Sequence, residues 1–153
     1  MSSNLNRLRL EQTSRALEPF AALQGQSVPS GGWLRAVREA LGRSLRKQAE
    51  HVHIAAPNLH KSELAESEGR ITLAQLRKLA AGLDCELVYA LVPREPLLTM
   101  VEAQADRLAR QEVLGVAHSM GLEGQRPSDT FVAKQLDERR QELLAGSWSK
   151  LWR

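Results

Sequence analysis

The apolar residues of this chain recur mostly at spacings of three and four positions, which is the period of an α-helix and predicts a mainly helical protein. The first such stripe consists of Leu5, Leu8, Leu17, Phe20 and Ala21 and indicates a leading helix. The stretch GQSVPSGG that follows combines a proline with paired glycines, so it predicts a linker.

Four shorter stripes come next and predict a bundle of short helices. Gly42 ends the first of them, and Ser44 is a suitable cap for the second, which we expect to run from Leu45 to about Val52. The third covers residues 57 to about 64, and the fourth begins at Thr72. The stripe positions are Trp33, Val37 and Leu41 in the first helix, and Leu73, Leu76, Leu79, Ala80 and Leu83 in the fourth.

The segment CELVYALV, residues 85–92, is too short and too rich in Val, Leu and Tyr to indicate a helix, and Pro93 closes it. It therefore predicts one short β-strand with Cys85 buried at its start. A single strand leaves its backbone N–H and C=O groups unpaired. We therefore expect a dimer mate or a partner protein to complete it.

Two longer helices are expected in the rest of the chain, one from Pro96 and one from Ser128 to about Ala145. The predicted organisation is an N-terminal helix and linker at 1–30, a helical domain ending in the strand at 31–94, and C-terminal helices at 95–153. The stripe of the long helix consists of Leu98, Val101, Ala105, Leu108, Val113, Val116 and Met120.

Two short helices joined by a tight turn inside a bundle of four form the helix-turn-helix arrangement, whose second helix enters the DNA major groove. Ala49 is small where the two helices would cross, and Ile54 and Leu59 are apolar where the turn and the second helix would be buried. The alternative is a helical bundle that uses the same positions as an ordinary core.

The distribution of charge favours DNA binding over an ordinary bundle. Residues 31–63 contain six Lys or Arg against three Glu, a local charge of +3, whereas residues 95–153 contain eight basic and nine acidic residues, a charge of −1. Basic side chains that neutralise phosphates supply most of the non-specific affinity for DNA. A basic middle followed by a near-neutral tail suggests two different partners.

Composition and the absence of known motifs limit the expected location, enzyme activity and metal content of the protein. With 153 residues, one cysteine, no secretory signal and no run of eighteen apolar residues, we expect a cytoplasmic protein that does not enter the membrane. No catalytic motif is present, so we expect no enzyme and no cofactor. His51, His53 and His60 lack the second cysteine or the paired carboxylate that a metal site needs, so we expect no metal.

The blocks GGWLRAVREALGRS and ITLAQLRKLAAGLDCELVYALVP resemble the bacterial family called mobile mystery protein A. The similarity runs from about Leu5 to the final LW and includes SMGLEGQ. It implies a Cro/repressor-like helix-turn-helix bundle with a C-terminal helical extension, encoded beside a Fic-domain protein. The chain differs from repressor-like domains at Gln48 and Ser62, where apolar residues are usual, and at His53, where glycine is common.

A repressor-like helix pair implies a set of residues that face double-stranded DNA. Asn58 and Lys61 could read adenine or guanine, and the methyl groups of Ala55 and Ala56 could contact thymine methyls. The expected DNA-binding residues are Arg43, Arg46, Lys47, Ala56, Asn58, His60 and Lys61.

The resemblance also implies a role for the stretch SMGLEG, residues 119–124. Fic proteins transfer AMP from ATP to a hydroxyl, and many are inhibited by a helix with Ser or Thr, three residues, Glu, and then Gly or Asn. Ser119, Glu123 and Gly124 match this signature. The glutamate would pair bidentately with the arginine that holds the ATP γ-phosphate and so would compete with productive nucleotide binding.

By itself the match is weak, because a chain of this length contains such a pattern by chance roughly one time in ten. The alternative is that Glu123 is a solvated residue near a helix end and Gly124 is its C-cap. Three hypotheses follow: an antitoxin-like inhibitor of a Fic enzyme that also binds DNA, which we favour; a plain regulator whose C-terminal helices dimerise; and a helical adaptor that no longer binds DNA.

Overall fold

The computed structural model describes residues 2–153, and Ser2 only by its backbone. These residues form seven α-helices and two short 3-10 helices, so the prediction of a mainly helical protein is confirmed. None of the helices in this range is long and apolar enough to cross a lipid bilayer. The α-helices are α1 (Ser2–Leu17), α2 (Trp33–Ala40), α3 (Leu45–His51), α4 (Ala56–Ser67), α5 (Leu73–Ala81), α6 (Leu97–Leu122) and α7 (Asp129–Ala145), and the 3-10 helices are Glu18–Leu23 and Trp148–Trp152.

The expected β-strand at residues 85–92 is wrong. The chain passes through residues 85–93 without helix, turn or bend, and no strand occurs between residues 2 and 153. A strand exists only where a second strand pairs with its backbone, and this stretch of the described chain has no such neighbour. Cys85, which we expected to be buried, is exposed.

The chain forms two compact units. The central unit is Gly25–Ala90 and contains α2 to α5. The terminal unit consists of Met1–Gln24 and Leu91–Arg153, and it contains α1, α6, α7 and both 3-10 helices.

The central unit is built around one small apolar core to which each of its four helices contributes. Apolar side chains at helical spacing bury one face of each short helix, and burial of this kind stabilises such helices more than their intrinsic propensity does. The buried members are Leu34, Ala49, Leu59, Leu79 and Leu83, and the half-buried residues packed against them are Val37, Leu45, Val52, Ile54, Ala56, Ile71 and Leu76.

Three helices begin at side-chain caps that the sequence predicts or permits. The hydroxyl groups of Ser44, Thr72 and Ser128 each accept a hydrogen bond from the backbone N–H three residues later, at 3.2, 3.1 and 3.2 Å. Such caps satisfy backbone donors that have no partner inside the helix, and each contributes about 1 kcal/mol. They fix the starting points of α3, α5 and α7.

The start of α2 is capped from a distance. Gly32 precedes the helix with φ +84° and offers no side chain, so the carboxylate of Glu66 on α4 accepts from the backbone N–H groups of Trp33 and Leu34 at 2.8 and 2.9 Å. A Cβ at position 32 would lie 2.8 Å from Glu66 Oε2. A carboxylate at this place also interacts favourably with the helix dipole. The cap therefore ties α2 to α4.

A buried ion pair joins the same two helices. Arg38 and Glu63 are only 8% and 4% exposed, and they pair bidentately, with Nε–Oε1 at 2.6 Å and Nη2–Oε2 at 3.1 Å. The remaining nitrogen, Nη1, donates to the carbonyl of Arg43 at 3.0 Å. The hydrogen bond to Glu63 raises the pKa of Arg38 above its usual value, so the guanidinium stays charged.

The terminal unit is organised around α6 and α7, which run antiparallel along each other. Its core is formed by Val101 and Ala105 of α6 with Trp148 and Leu151 of the last 3-10 helix. The indole N–H of Trp148 donates to the carbonyl of Leu144 at 2.9 Å, and the amide of buried Gln104 donates to the carbonyl of Leu151. The end of the chain therefore packs onto the long helix.

Breaking the buried ion pair is expected to destabilise the central unit strongly. Glu63→Leu leaves the Arg38 guanidinium buried without its carboxylate, and we expect the free energy of unfolding in urea to fall by about 3–5 kcal/mol. The double variant Arg38→Met/Glu63→Leu removes both charges and should recover most of this loss. If Glu63→Leu is no less stable than the matched surface variant Arg35→Ala, the Arg38–Glu63 ion pair does not stabilise the central unit.

Candidate functional site

The first candidate site is the surface formed by α3 and α4. Residues 52–55 join the two helices, and His53 takes the left-handed backbone conformation with φ 58°. This conformation explains why glycine is common at such a turn, because other residues enter it at a cost. The N–H of Ile54 bonds to the carbonyl of Ala49 at 3.0 Å and closes α3.

The inner side of the helix pair is packed and fully hydrogen-bonded. Ala49 and Leu59 are buried at the positions where small and apolar side chains were expected. Gln48, which stands where an apolar residue is usual, is 2% exposed. Its amide donates to the carbonyl of Gly82 at 2.9 Å, and its oxygen accepts from Arg43 Nη1 at 3.0 Å. A polar residue is tolerated there because both ends of its amide are satisfied.

The outer side carries five of the seven residues that we expected to contact DNA. Asn58, His60 and Lys61 are exposed on α4, and Arg46 and Lys47 are exposed on α3. Asn58 and Lys61 lie three positions apart and therefore share one face of α4. Both side chains expected to read bases are therefore exposed on the same side of α4.

The other two expected residues are engaged inside the central unit. Arg43 is half-buried, and its Nη1 donates to Gln48 and, at 3.3 Å, to the carbonyl of Gly82. Ala56 is half-buried and packs against the apolar core. The sequence places Arg43 just before α3, but it contains no signal that Gly82, 39 residues later, is its hydrogen-bond partner.

Part of the positive charge on α3 is paired. The carboxylate of Glu50 lies 3.2 Å from Arg46 Nε and 3.3 Å from Lys47 Nζ. The hydrogen bond from Lys47 lowers the pKa of Glu50, so this carboxylate remains charged at neutral pH. Because all three side chains are solvated, the pairing is weak. Lys61 makes no ion pair within residues 2–153.

The second candidate site is the end of α6. The helix ends at Leu122, and the N–H of Glu123 bonds to the carbonyl of Ser119 at 3.3 Å, so Ser119 lies one turn before Glu123. Gly124 has φ +77°, and the N–H of Gln125 bonds back to the carbonyl of Met120 at 2.8 Å. This is the usual left-handed termination of a helix, for which glycine is preferred.

Ser119 and Glu123 differ in whether they have a hydrogen-bond partner within the described residues. Ser119 donates to the carbonyl of Gly115 at 3.2 Å and is satisfied within its own helix. Glu123 is exposed and makes neither a hydrogen bond nor an ion pair with any side chain of the described residues. A carboxylate at the C-terminal end of a helix is disfavoured by the helix dipole. The helix therefore gains nothing from Glu123.

A groove of about 270 Å³ lies between α6 and α7, and Met120, three residues before Glu123, lines it. Its apolar lining consists of Val113, Val116, Ala117, Met120, Pro127, Phe131 and Val132. At its border Arg139 is paired with Glu112 and, at 2.9 Å, with Glu142. The hydrogen bond that Arg139 donates to Glu112 raises the pKa of Arg139 and keeps the guanidinium charged. Val113, Val116 and Met120 belong to the apolar stripe that helical periodicity predicts for the long helix, but Phe131 of α7 was not part of any predicted stripe.

No family model matches the chain, and no curated protein or solved structure matches it. The geometry of the two candidate sites and the sequence blocks quoted above are therefore the basis for any functional proposal.

Replacing Arg43, just before α3, is expected to destabilise the protein more than replacing Arg46 on the exposed side of α3. Arg43→Ala leaves the oxygen of buried Gln48 without its donor, so we expect the free energy of unfolding to fall by about 1–3 kcal/mol. Arg46→Ala removes only an exposed pair and should change it by less than about 0.5 kcal/mol. Equal effects of the two substitutions in urea unfolding would show that the Arg43–Gln48 contact contributes nothing.

Proposed function

We propose that this chain is an antitoxin-like inhibitor of a Fic-domain AMP-transferase, a member of the mobile mystery protein A family, and a DNA-binding autoregulator. The observation that carries the inhibitory role is Glu123, an exposed and unpaired carboxylate at the end of a long helix, one turn after Ser119. The DNA-binding role is supported by the exposed basic and amide side chains on α3 and α4.

Inhibition would act through one charged contact. Glu123 needs no rearrangement of its own chain to meet a partner, because no side chain within residues 2–153 holds it. A carboxylate presented in this way can accept two hydrogen bonds from the arginine that should hold the ATP γ-phosphate. The nucleotide then loses its anchor, and AMP transfer stops while the two proteins remain bound.

Affinity for the partner would come from a different part of the same helix. The groove between α6 and α7 offers apolar surface next to the helix end, with Phe131 50% exposed and Val116 61% exposed. Apolar surface of this kind contributes affinity without charge, at roughly 25 cal/mol for each Å² buried. Binding and inhibition are therefore expected to depend on different residues.

For the DNA-binding role we propose a Cro/repressor-like helix-turn-helix formed by α3, the turn at residues 52–55, and α4. In this arrangement α4 lies in the major groove, where Asn58 can bond to adenine and Lys61 to guanine. Arg46 and Lys47 would contact phosphates. Arg43 is assigned instead to fixing the loop before α3, in keeping with its bonds to Gln48 and Gly82.

A second candidate function is a plain transcriptional regulator whose terminal unit has no inhibitory role. The left-handed conformation of Gly124 favours it, because an ordinary helix termination explains this glycine without a Fic partner. The two candidates differ in what they require of Glu123.

Replacement of Glu123 is expected to separate binding from inhibition. In a co-purified complex with the Fic-domain protein, Glu123→Ala should leave the complex intact and raise AMP transfer at least about tenfold, because a charged contact of about 2 kcal/mol or more is lost. The measurement is transfer of labelled AMP from ATP. Alanine is used because it preserves the helix end, whereas a second glycine beside Gly124 would loosen it.

The matched control is Glu102→Ala, which removes another exposed carboxylate of α6 and should leave AMP transfer silent. An intact Glu123→Ala complex that stays as silent as wild type would refute the inhibitory role. The regulator would then be the better description.

DNA binding is expected to depend steeply on salt. Lys47→Ala should reduce the slope of log affinity against log salt concentration by about one unit, because one phosphate contact is lost. Lys134→Ala, an exposed lysine of α7, should leave the slope unchanged and serves as the control. Binding to the promoter DNA is measured by fluorescence anisotropy over a salt series. Absence of salt-dependent binding would count against the helix-turn-helix assignment.

A further inference from the structure

The segment 86–94 carries a backbone without partners. The last backbone hydrogen bond before it is donated by Cys85 to Ala80, and the next one along the chain joins Met100 to Pro96. Between them, no N–H or C=O group of this segment bonds to another backbone group of the described residues. Residues 85–93 follow a course without turn or bend, and the chain bends at Arg94 and Glu95. A straight run of free donors and acceptors is a template for pairing with a second strand.

The apolar side chains of this segment are also exposed. Val88, Tyr89 and Leu91 are 60, 63 and 84% exposed. Valine and tyrosine are residues that strands prefer, and here Val88 and Tyr89 are largely exposed in the single chain. Exposed apolar residues on an unpaired backbone mark an interaction surface.

We propose that two copies of this chain dimerise by antiparallel pairing of their 86–94 segments about a twofold axis at Ala90. In this register Glu86 of each copy lies opposite Arg94 of the other, the residue at which the straight course ends, so a charge pair forms at each end of the paired segments. Neither side chain has an ion-pair partner within residues 2–153. The smallest side chain of the segment, Ala90, meets its own copy on the axis. This inference does not depend on the proposed function.

The backbone supports the same register. Positions opposite each other in an antiparallel pair alternate between hydrogen-bonded and non-hydrogen-bonded. With Ala90 at a hydrogen-bonded position, Val88 and Val92 also exchange hydrogen bonds. Pro93, which has no N–H, then falls at a non-hydrogen-bonded position and loses nothing.

Tyr89 of one copy lies opposite Leu91 of the other, again at a non-hydrogen-bonded position. The Cα atoms are only about 4.5 Å apart at such positions, so the two side chains touch closely. The symmetry gives two such contacts. They cover the most exposed apolar residue of the segment, Leu91.

Neighbouring registers fit less well. An axis at Tyr89 would place Arg94 opposite Asp84, but Asp84 has a left-handed backbone with φ 55° and lies outside any extended run. An axis between Tyr89 and Ala90 would place Glu86 opposite Pro93. Because a shift of one residue exchanges the two faces of a strand, the charges specify a single alignment. This self-complementarity favours a second copy over the strand of another protein.

The register predicts unequal outcomes for two proline substitutions. Val88→Pro removes an N–H that bonds across the interface, and symmetry makes this two bonds, so the dimer dissociation constant should rise at least about tenfold. Leu91→Pro removes an N–H that points away from the partner copy, so it should weaken the dimer only through the lost Tyr89–Leu91 contacts and raise the dissociation constant less than Val88→Pro does. Neither N–H bonds to another group of residues 2–153, so both variants should fold. Sedimentation equilibrium of the full chain measures the constants.

Charge exchange tests the alignment by a second route. Glu86→Arg and Arg94→Glu should each weaken the dimer by placing like charges opposite each other, and the double variant should restore it. A wild-type chain that stays monomeric, proline variants with equal effects, or a double variant weaker than both single ones would overturn the proposal. Circular dichroism confirms that each variant retains its helix content.

Discussion

The central unit depends on the buried pair between Arg38 and Glu63. Two charges taken out of water are stable only when each is fully hydrogen-bonded, and here the guanidinium satisfies both carboxylate oxygens and one backbone carbonyl. This demand fixes the position of α4 against α2. The cap that Glu66 of α4 places on the start of α2 adds a second fixed point. The contacts of Glu63 and Glu66 with α2 therefore fix the orientation of α4, including its exposed face.

The ion pair is also part of a hydrogen-bond network that includes residues before and within α3. Arg38 bonds to the carbonyl of Arg43, and the side chain of Arg43 bonds to Gln48 and to the carbonyl of Gly82. Residue 82 must also be a glycine for a steric reason, because a Cβ at this position would lie 2.3 Å from the side chain of Val52. Gln48 is therefore a member of a network that connects the loop before α3 to the end of α5.

Local rules predicted the helices, but not the contacts between distant residues. Ser44, Thr72 and Ser128 cap helices as their positions beside apolar stripes suggest. The partners of Arg38 and Arg43 lie 25 and 39 residues away, and no local pattern identifies them. The strand prediction failed because β propensity describes one segment, whereas a strand requires two.

The three residues of the proposed inhibitory motif do not carry equal weight. Gly124 is required by the left-handed helix termination, and the hydroxyl of Ser119 is satisfied by its own helix, so each has a local explanation. Glu123 has none, because it pairs with no side chain of residues 2–153 and lies where the helix dipole disfavours a negative charge. The case for inhibition therefore depends on this carboxylate.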